Sequence, residues 1–171
     1  MLQIDLDDPT RADVRLLLDE HLADMFATSP ADSVHALDHS ALATVGLTFW
    51  TAREDGVLLG CGALKQLDAR HGEIKSMRTT PAARGRGVAA ALLGTVITEA
   101  RSRGYERLSL ETGSEDFFAP ARRLYERHGF TECAPFADYR PDPHSTFMRL
   151  ALTDHAPTDH APTDGAPTDL A

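Results

Sequence analysis

The residues Arg84-Gly85-Arg86-Gly87-Val88-Ala89 open an apolar run of helical spacing. They supply none of the Ser, Thr, Asp or Asn side chains that usually satisfy the free N–H groups of a first helical turn. Arginines at the positive end of a helix dipole are unfavourable by roughly 0.3–1 kcal/mol each, a penalty that a bound anion reverses. Glycines also let the backbone approach a phosphate closely, so Arg84, Gly85, Arg86, Gly87, Val88 and Ala89 read as a pyrophosphate cradle. The competing reading is a tight turn with two solvated arginines, and the missing cap weighs against it. A Walker loop would close on Gly-Lys-Ser/Thr, which Gly87-Val88-Ala89 is not. Gly85-x-Gly87-x-x-Ala90 does fit the dinucleotide fingerprint, with Glu111 ending the next strand where a ribose-binding acid would stand. The residues Thr80 to Arg84 between strand and glycines, and an antiparallel hairpin upstream, oppose that assignment.

The elements that must hold this turn follow from periodicity. Leu2 to Leu6 alternates as a strand, and Asp8-Pro9 reads as an N-cap with Pro at the first helical position. Val14, Leu17, Leu18, Leu22 and Met25 then recur at helical spacing until Ser29-Pro30, and residues 31 to 42 read as a short helix or loop. The runs Leu47 to Ala52 and Val57 to Leu64 flank Asp55-Gly56, a strong hairpin signal. Glu73 to Thr79 is a further strand stopped by Pro81. Val88, Leu92, Val96 and Ala100 mark a helix face ending at Gly104, and Arg107 to Leu110 completes a βαβ-like unit. A helix from about Phe117 to His128 and strands near Thr131 to Pro135 and Ser145 to Leu150 close a mixed α/β sheet.

In this setting Arg84-x-x-Gly87-x-Ala89 resembles the cofactor motif Gln/Arg-x-x-Gly-x-Gly/Ala of the GNAT superfamily of N-acetyltransferases. Ala121-Arg122-Arg123-Leu124-Tyr125-Glu126-Arg127-His128-Gly129-Phe130 is similar to the family's later Ala-x-x-Leu-Tyr-x-x-x-Gly-Phe. The resemblance extends along most of residues 1 to 152. It implies an α/β fold of mixed α+β character, with a mostly antiparallel central sheet of six to seven strands flanked by about four helices. The activity it implies is transfer of an acetyl group from acetyl-CoA to a primary amine by direct attack on the thioester. A non-catalytic acyl-CoA-binding module and an NAD(P)-dependent oxidoreductase are the alternatives.

Site roles follow from the same resemblance. The strand around Met77, Arg78 and Thr79 splays from its neighbour and offers backbone groups to the pantetheine arm, with an N–H near Met77 for the thioester oxygen. Tyr125 stands where the family has the tyrosine that protonates the departing thiolate, although Phe118, Ala121 and Tyr125 also share a helix face that would suit simple packing. Glu73 resembles the glutamate that takes the amine proton in several relatives, with Glu111 as the reserve. A strand-end glutamate is otherwise expected to be solvated. His35 and Asp38 fall in the segment that lines the family's acceptor pocket, and Tyr139 and Asp138 are rim candidates. The chain departs from the pattern at Phe118, where relatives often carry an asparagine that contacts the cofactor arm.

Composition bounds the rest. A chain of 171 residues is expected to form one domain over residues 1 to 152. Residues 153 to 171 repeat Thr-Asp-His-Ala-Pro with a period of five and read as a low-complexity, solvated tail. Its histidines are a weak metal signal, and no metal is expected. Cys61 and Cys133 belong to no ligand pattern and read as buried reduced thiols. A net charge of -9 argues against a nucleic-acid partner. No apolar run long enough for a membrane helix and no signal-peptide pattern is present, so a cytoplasmic location is expected. An exposed sheet edge makes a homodimer an expectation for this fold.

Overall fold

The computed structural model describes residues 1–153, and the repeat read from residue 153 onward lies almost wholly outside them. The strands are β1 (Leu2–Leu6), β2 (Leu47–Glu54), β3 (Val57–Gln66), β4 (His71–Thr79), β5 (Arg107–Gly113), β6 (Thr131–Glu132) and β7 (Ser145–Ala151). The α-helices are α1 (Ala12–Thr28), α2 (His39–Leu42), α3 (Val88–Ser102) and α4 (Ala119–Arg127). One seven-stranded sheet runs in the order β1-β2-β3-β4-β5-β7-β6. Among the described residues only β4 and β5 pair in parallel. A single parallel pair cannot make the doubly wound sheet of the dinucleotide alternative.

The hairpin turns where its sequence says: Asp55 and Gly56 both have positive φ, 49° and 81°. The apolar face of α3, with Val88, Leu92, Leu93, Val96 and Ala100, packs against Leu64, Ile74, Leu108, Leu110 and Met148 on one side of the sheet. On the other side Val14, Leu17 and Leu18 of α1 bury Phe49, Cys61 and Ala63. Each Val, Leu, Ile, Phe or Met side chain among them contributes on the order of 1.5–3 kcal/mol when fully buried, so these two layers fix the sheet. Cys61 is the buried thiol that was expected, while Cys133 is only half-buried.

Three boundaries differ from the sequence reading. Asp8 does not cap α1; its carboxylate accepts from the Thr10 N–H and hydroxyl, and the helix starts at Ala12. That local Asx-type bonding competes with capping. The strand expected over Thr131 to Pro135 is only Thr131–Glu132, and the helix expected from Phe117 opens as a 3₁₀ turn, Asp116–Phe118, before α4.

An ion-pair network ties β1, β2 and α1 together. Arg53 reaches Asp13 at 2.6 Å and Asp7 at 3.1 Å, and the Thr51 hydroxyl donates to Asp7 at 2.7 Å. Burial alone would raise the Asp7 pKa, but hydrogen bonds from Thr51, the Asp8 N–H, Arg11 and Arg53 outweigh it and hold it at about 2. A depressed carboxylate adds stability that is fully present above its unfolded value and lost as pH falls through the folded one. Asp7→Asn is therefore expected to cost about 1–2 kcal/mol at pH 7, after discounting for solvent screening, with the difference from wild type vanishing toward pH 2. Urea unfolding at both pH values checks this.

Candidate active site

The glycine turn is built by backbone conformation. After β4 the chain makes a 3₁₀ turn, Pro81–Ala83, and then passes Gly85 and Gly87 at φ 75° and 79°. No atom lies within 4 Å of a Cβ built at either glycine, so the left-handed backbone, not crowding, demands glycine there. Gly87 caps α3 without a side-chain bond, and the Ala91 N–H is the donor that returns to the Gly87 carbonyl. The N–H groups of Val88, Ala89 and Ala90 thus open the helix without intrahelical partners, as an anion site requires. Arg84 is exposed, while Arg86 pairs with Glu54 at 2.5 Å.

From this turn a split in the sheet leads inward. β4 and β5 pair only at His71↔Arg107, Gly72↔Leu108 and Glu73↔Ser109, and then separate. The separation coincides with a bulge in β4. Cys61 faces Arg78 and Ala63 faces Lys75, so β4 carries one more residue than β3 there, and Ser76 takes φ 53°. Gly62 makes this feasible, because a Cβ at that position would lie 2.6 Å from the Met77 sulfur.

A cavity of about 90 Å³ fills the split. Lys75, Ser76 and Met77 of β4 line one side, Glu111 and Thr112 of β5 the other, and Phe118 and Tyr125 the floor toward α4. Burial raises the Glu111 pKa to about 7, opposed in part by the Ser145 hydroxyl and Lys75 and reinforced by Glu73. Burial, and secondarily Glu111, push the Tyr125 phenol well above its usual range. His21, also in the lining, falls to about 4 through burial and the nearby Arg78, and is neutral at pH 7. The Arg78 side chain itself reaches Asp24 of α1 at 2.7 Å. Phe118 lies over Gly113, where a Cβ would come within 2.0 Å of its ring, so glycine makes room for the aromatic ring.

A larger cleft of about 870 Å³ opens behind β4. Glu73, read as the base candidate against the alternative of a solvated strand end, is only 2% exposed. Its Oε1 accepts from Lys75 Nζ at 3.2 Å and from the Tyr139 hydroxyl at 2.5 Å, and Lys75 also donates to Tyr139 at 3.0 Å and to the His35 carbonyl at 3.1 Å. Tyr139 stands edge-on to His35, Phe136 and Phe147. Burial first and Glu73 second raise its pKa, while burial and Lys75 lower that of His35. His35 lines both cavities and so marks the passage between them.

The acetyltransferase (GNAT) family model matches residues 14–130, most of the described chain and both sides of the split. The chain belongs to the GNAT acetyltransferase family. It is 54% identical to the Bacillus subtilis protein YsnE, named an uncharacterized N-acetyltransferase, over 86% of this chain and 97% of that one. It is 46% identical to Escherichia coli YedL, which carries the same description, over 91% and 98% of the two chains. A Klebsiella pneumoniae crystal structure assigned as an acyl-CoA N-acyltransferase superposes with a TM-score of 0.73 at 30% identity, covering 90% of this chain and 99% of that one. As a member of this family the chain is an N-acetyltransferase that uses acetyl-CoA as co-substrate.

In this GNAT enzyme the residues singled out from the sequence fall into three places. Arg84 to Ala89 form the turn. Met77, Glu111 and Tyr125 share the split, with Arg78 and Thr79 continuing β4 beside it. Glu73, His35, Asp138 and Tyr139 line the cleft. Asp38 does not join them, because its carboxylate caps α2 through the Ala41 N–H at 2.8 Å. Sequence reasoning missed Lys75 and His71. The signal was there: His71, Glu73 and Lys75 alternate along β4, which puts three titratable groups on one sheet face. No helix among the described residues is long and apolar enough to cross a membrane.

Proposed function

We propose that this GNAT enzyme acetylates a primary amine by direct attack on the thioester, with Glu111 taking the amine proton and Tyr125 protonating the thiolate. The single observation that carries this reading is that Glu111 and Tyr125 line one small cavity at the split of β4 and β5. Acetyl-CoA supplies an activated acetyl group when bound. The open N–H groups from Gly87 to Ala90 and the free charge of Arg84 suit its pyrophosphate, and the separated β4 edge from Ser76 to Thr79 suits its pantetheine amides.

Glu111 is the better proton acceptor of the two glutamates. A base works best with a pKa near the working pH, and Glu111 is held at about 7. Glu73 is committed to Lys75 and Tyr139, so it serves to fix the wall between cleft and cavity. Tyr125 keeps its proton until thiolate charge develops, donates to the sulfur, and is reprotonated by the carboxyl of Glu111. Amine proton, thiol proton and catalyst then balance in each turnover. A covalent route through Cys61 is disfavoured, since burial pushes its thiol up to about 12 and a neutral buried thiol is a poor nucleophile.

The test is an amine panel incubated with acetyl-CoA, reading thiol release and acetylated amine together. Stoichiometric release of both supports direct transfer. Acetyl-CoA binding without transfer to any amine would replace it with the non-catalytic module.

A further inference from the structure

The cleft behind β4 is lined by charges of both signs. Asp32, Asp138 and Asp142, with the exposed Arg140 among them, border it beside His35 and Tyr139. Across β4 from one another, Lys65 of β3 and Arg107 of β5 also line it, with Asp68 nearby in sequence. Sheet register fixes that arrangement: Lys65 lies opposite Glu73, and Arg107 opposite His71. Directly paired residues point to the same face, and Glu73 and His71 are two apart on one strand, so all four share the face that the cleft exposes.

Of the fifteen arginines, six pair with a carboxylate, and Arg122 and Arg149 donate to a carbonyl or a hydroxyl. Arg11, Arg53, Arg70, Arg78, Arg86 and Arg103 each hold a carboxylate. Among the described residues, the cleft cations Lys65, Arg107 and Arg140 form neither an ion pair nor a side-chain hydrogen bond, and of the three Arg107 alone is half-buried. Asp68, the cleft carboxylate that senses Arg107, is turned to the Arg70 N–H at 2.7 Å. His71 between them is 5% exposed, and its Nε2 is fixed on the Ser109 hydroxyl at 2.6 Å, which also accepts from Arg149 Nε at 3.3 Å. Burial, then Arg107 and Arg149, lower the pKa of this imidazole, so the local field is positive. A guanidinium withdrawn from water without a partner is costly, and an anionic ligand group offsets that cost with charge-assisted, two-pronged hydrogen bonds.

Resting on the acetyltransferase reading above, we infer that the acceptor is an amine that also carries an acidic group, held by Arg107 and Lys65 while its amine passes His35 to the split. Glu111 and Arg107 are four residues apart on one strand, about 13 Å between Cα atoms, and an extended arginine spans roughly half of that. The acid is accordingly several bonds from the amine, as in an ω-amino acid or a peptide, and further than in an α-amino acid.

The experiment uses the full chain, acetyl-CoA and matched pairs: glycine, 4-aminobutyrate and 6-aminohexanoate, each against its amide, and O-phosphoethanolamine against ethanolamine. Wild type is expected to favour the acid over the amide at least tenfold in kcat/KM for the longer pairs, and less for glycine. Arg107→Gln is expected to shrink that preference below threefold while turnover of the amide stays unchanged. Preference confined to the phosphate pair would assign the same cations to phosphate. Equal turnover of acids and neutral partners by wild type, or parallel loss of both in Arg107→Gln, overturns the inference while leaving the acetyltransferase reading intact. Calorimetric titration with the N-acetylated acids and amides provides a readout that needs no turnover. Acid binding lost in Arg107→Gln supports the inference even if no amine is acetylated, and absence of acid binding at millimolar concentration removes it.

Discussion

Replacing Tyr125 by phenylalanine is expected to lower kcat about 10²- to 10³-fold, within the range that positioned acid–base groups supply. The affinity for acetyl-CoA should change by less than about threefold. The reasoning is local. Tyr125 is 6% exposed, stands edge-on to Phe130, and belongs to the apolar core around α3, so the ring packs equally well without its oxygen. What the substitution removes is a hydroxyl whose proton is retained by burial and by the neighbouring Glu111, and which is therefore available when charge develops on sulfur. Steady-state kinetics by thiol release, with cofactor affinity measured separately, checks the division. A fall in affinity equal to the fall in kcat would make Tyr125 a packing residue.

Glu111→Gln should produce the second large effect, with two signs. The wild-type kcat/KM should rise with pH through about 7 as Glu111 loses its proton, and the variant should lose that limb along with about 10²-fold in rate. Stability should move the other way. A carboxyl whose folded pKa is raised binds its proton more tightly in the folded state, so folding loses stability as pH climbs from the unfolded value near 4.3 through 7. Glutamine carries no charge to desolvate, and the variant should unfold at a higher temperature than wild type at pH 8 and at a similar one at pH 5. Parallel pH–rate profiles and thermal melts measure both. Glu73→Gln, in contrast, should retain the limb but move it to lower pH, since it removes a charge that helps to raise the Glu111 pKa and leaves the Glu111 carboxyl in place.

Much of this was legible before the structure, for identifiable reasons. Strand alternation, the Asp55-Gly56 turn and the α3 periodicity are local signals, and the elements they mark appear within a few residues of where they were read. The glycine turn was legible because its peculiarity is an absence, the missing cap, which a sequence displays directly. Tyr125 needed the family motif, since its spacing also suits a core position. Less local features were hidden. Nothing in Glu73 announces that a loop 66 residues later will bury it under Tyr139. Lys75 was overlooked for the same reason, as its partners come from β4, the His35 segment and the loop before β7. The raised pKa of Glu111 is also a tertiary property, set by burial at a split that coincides with the extra residue in β4. Asp38 shows the converse: a polar residue in the right segment was claimed by its own backbone as a helix cap.

The most direct test of the central claim is calorimetric titration of acetyl-CoA into wild type and Gly87→Asp, with circular dichroism to confirm that both are folded. Aspartate tolerates the left-handed backbone at φ 79° better than most residues, so the change chiefly places a negative charge at the mouth of the cradle. The expected result is wild-type binding that weakens at least 100-fold in the folded variant. Equal affinity in the two proteins would mean that the pyrophosphate does not rest on Arg84 to Ala89, and the placement of the thioester between Glu111 and Tyr125 would fall with it.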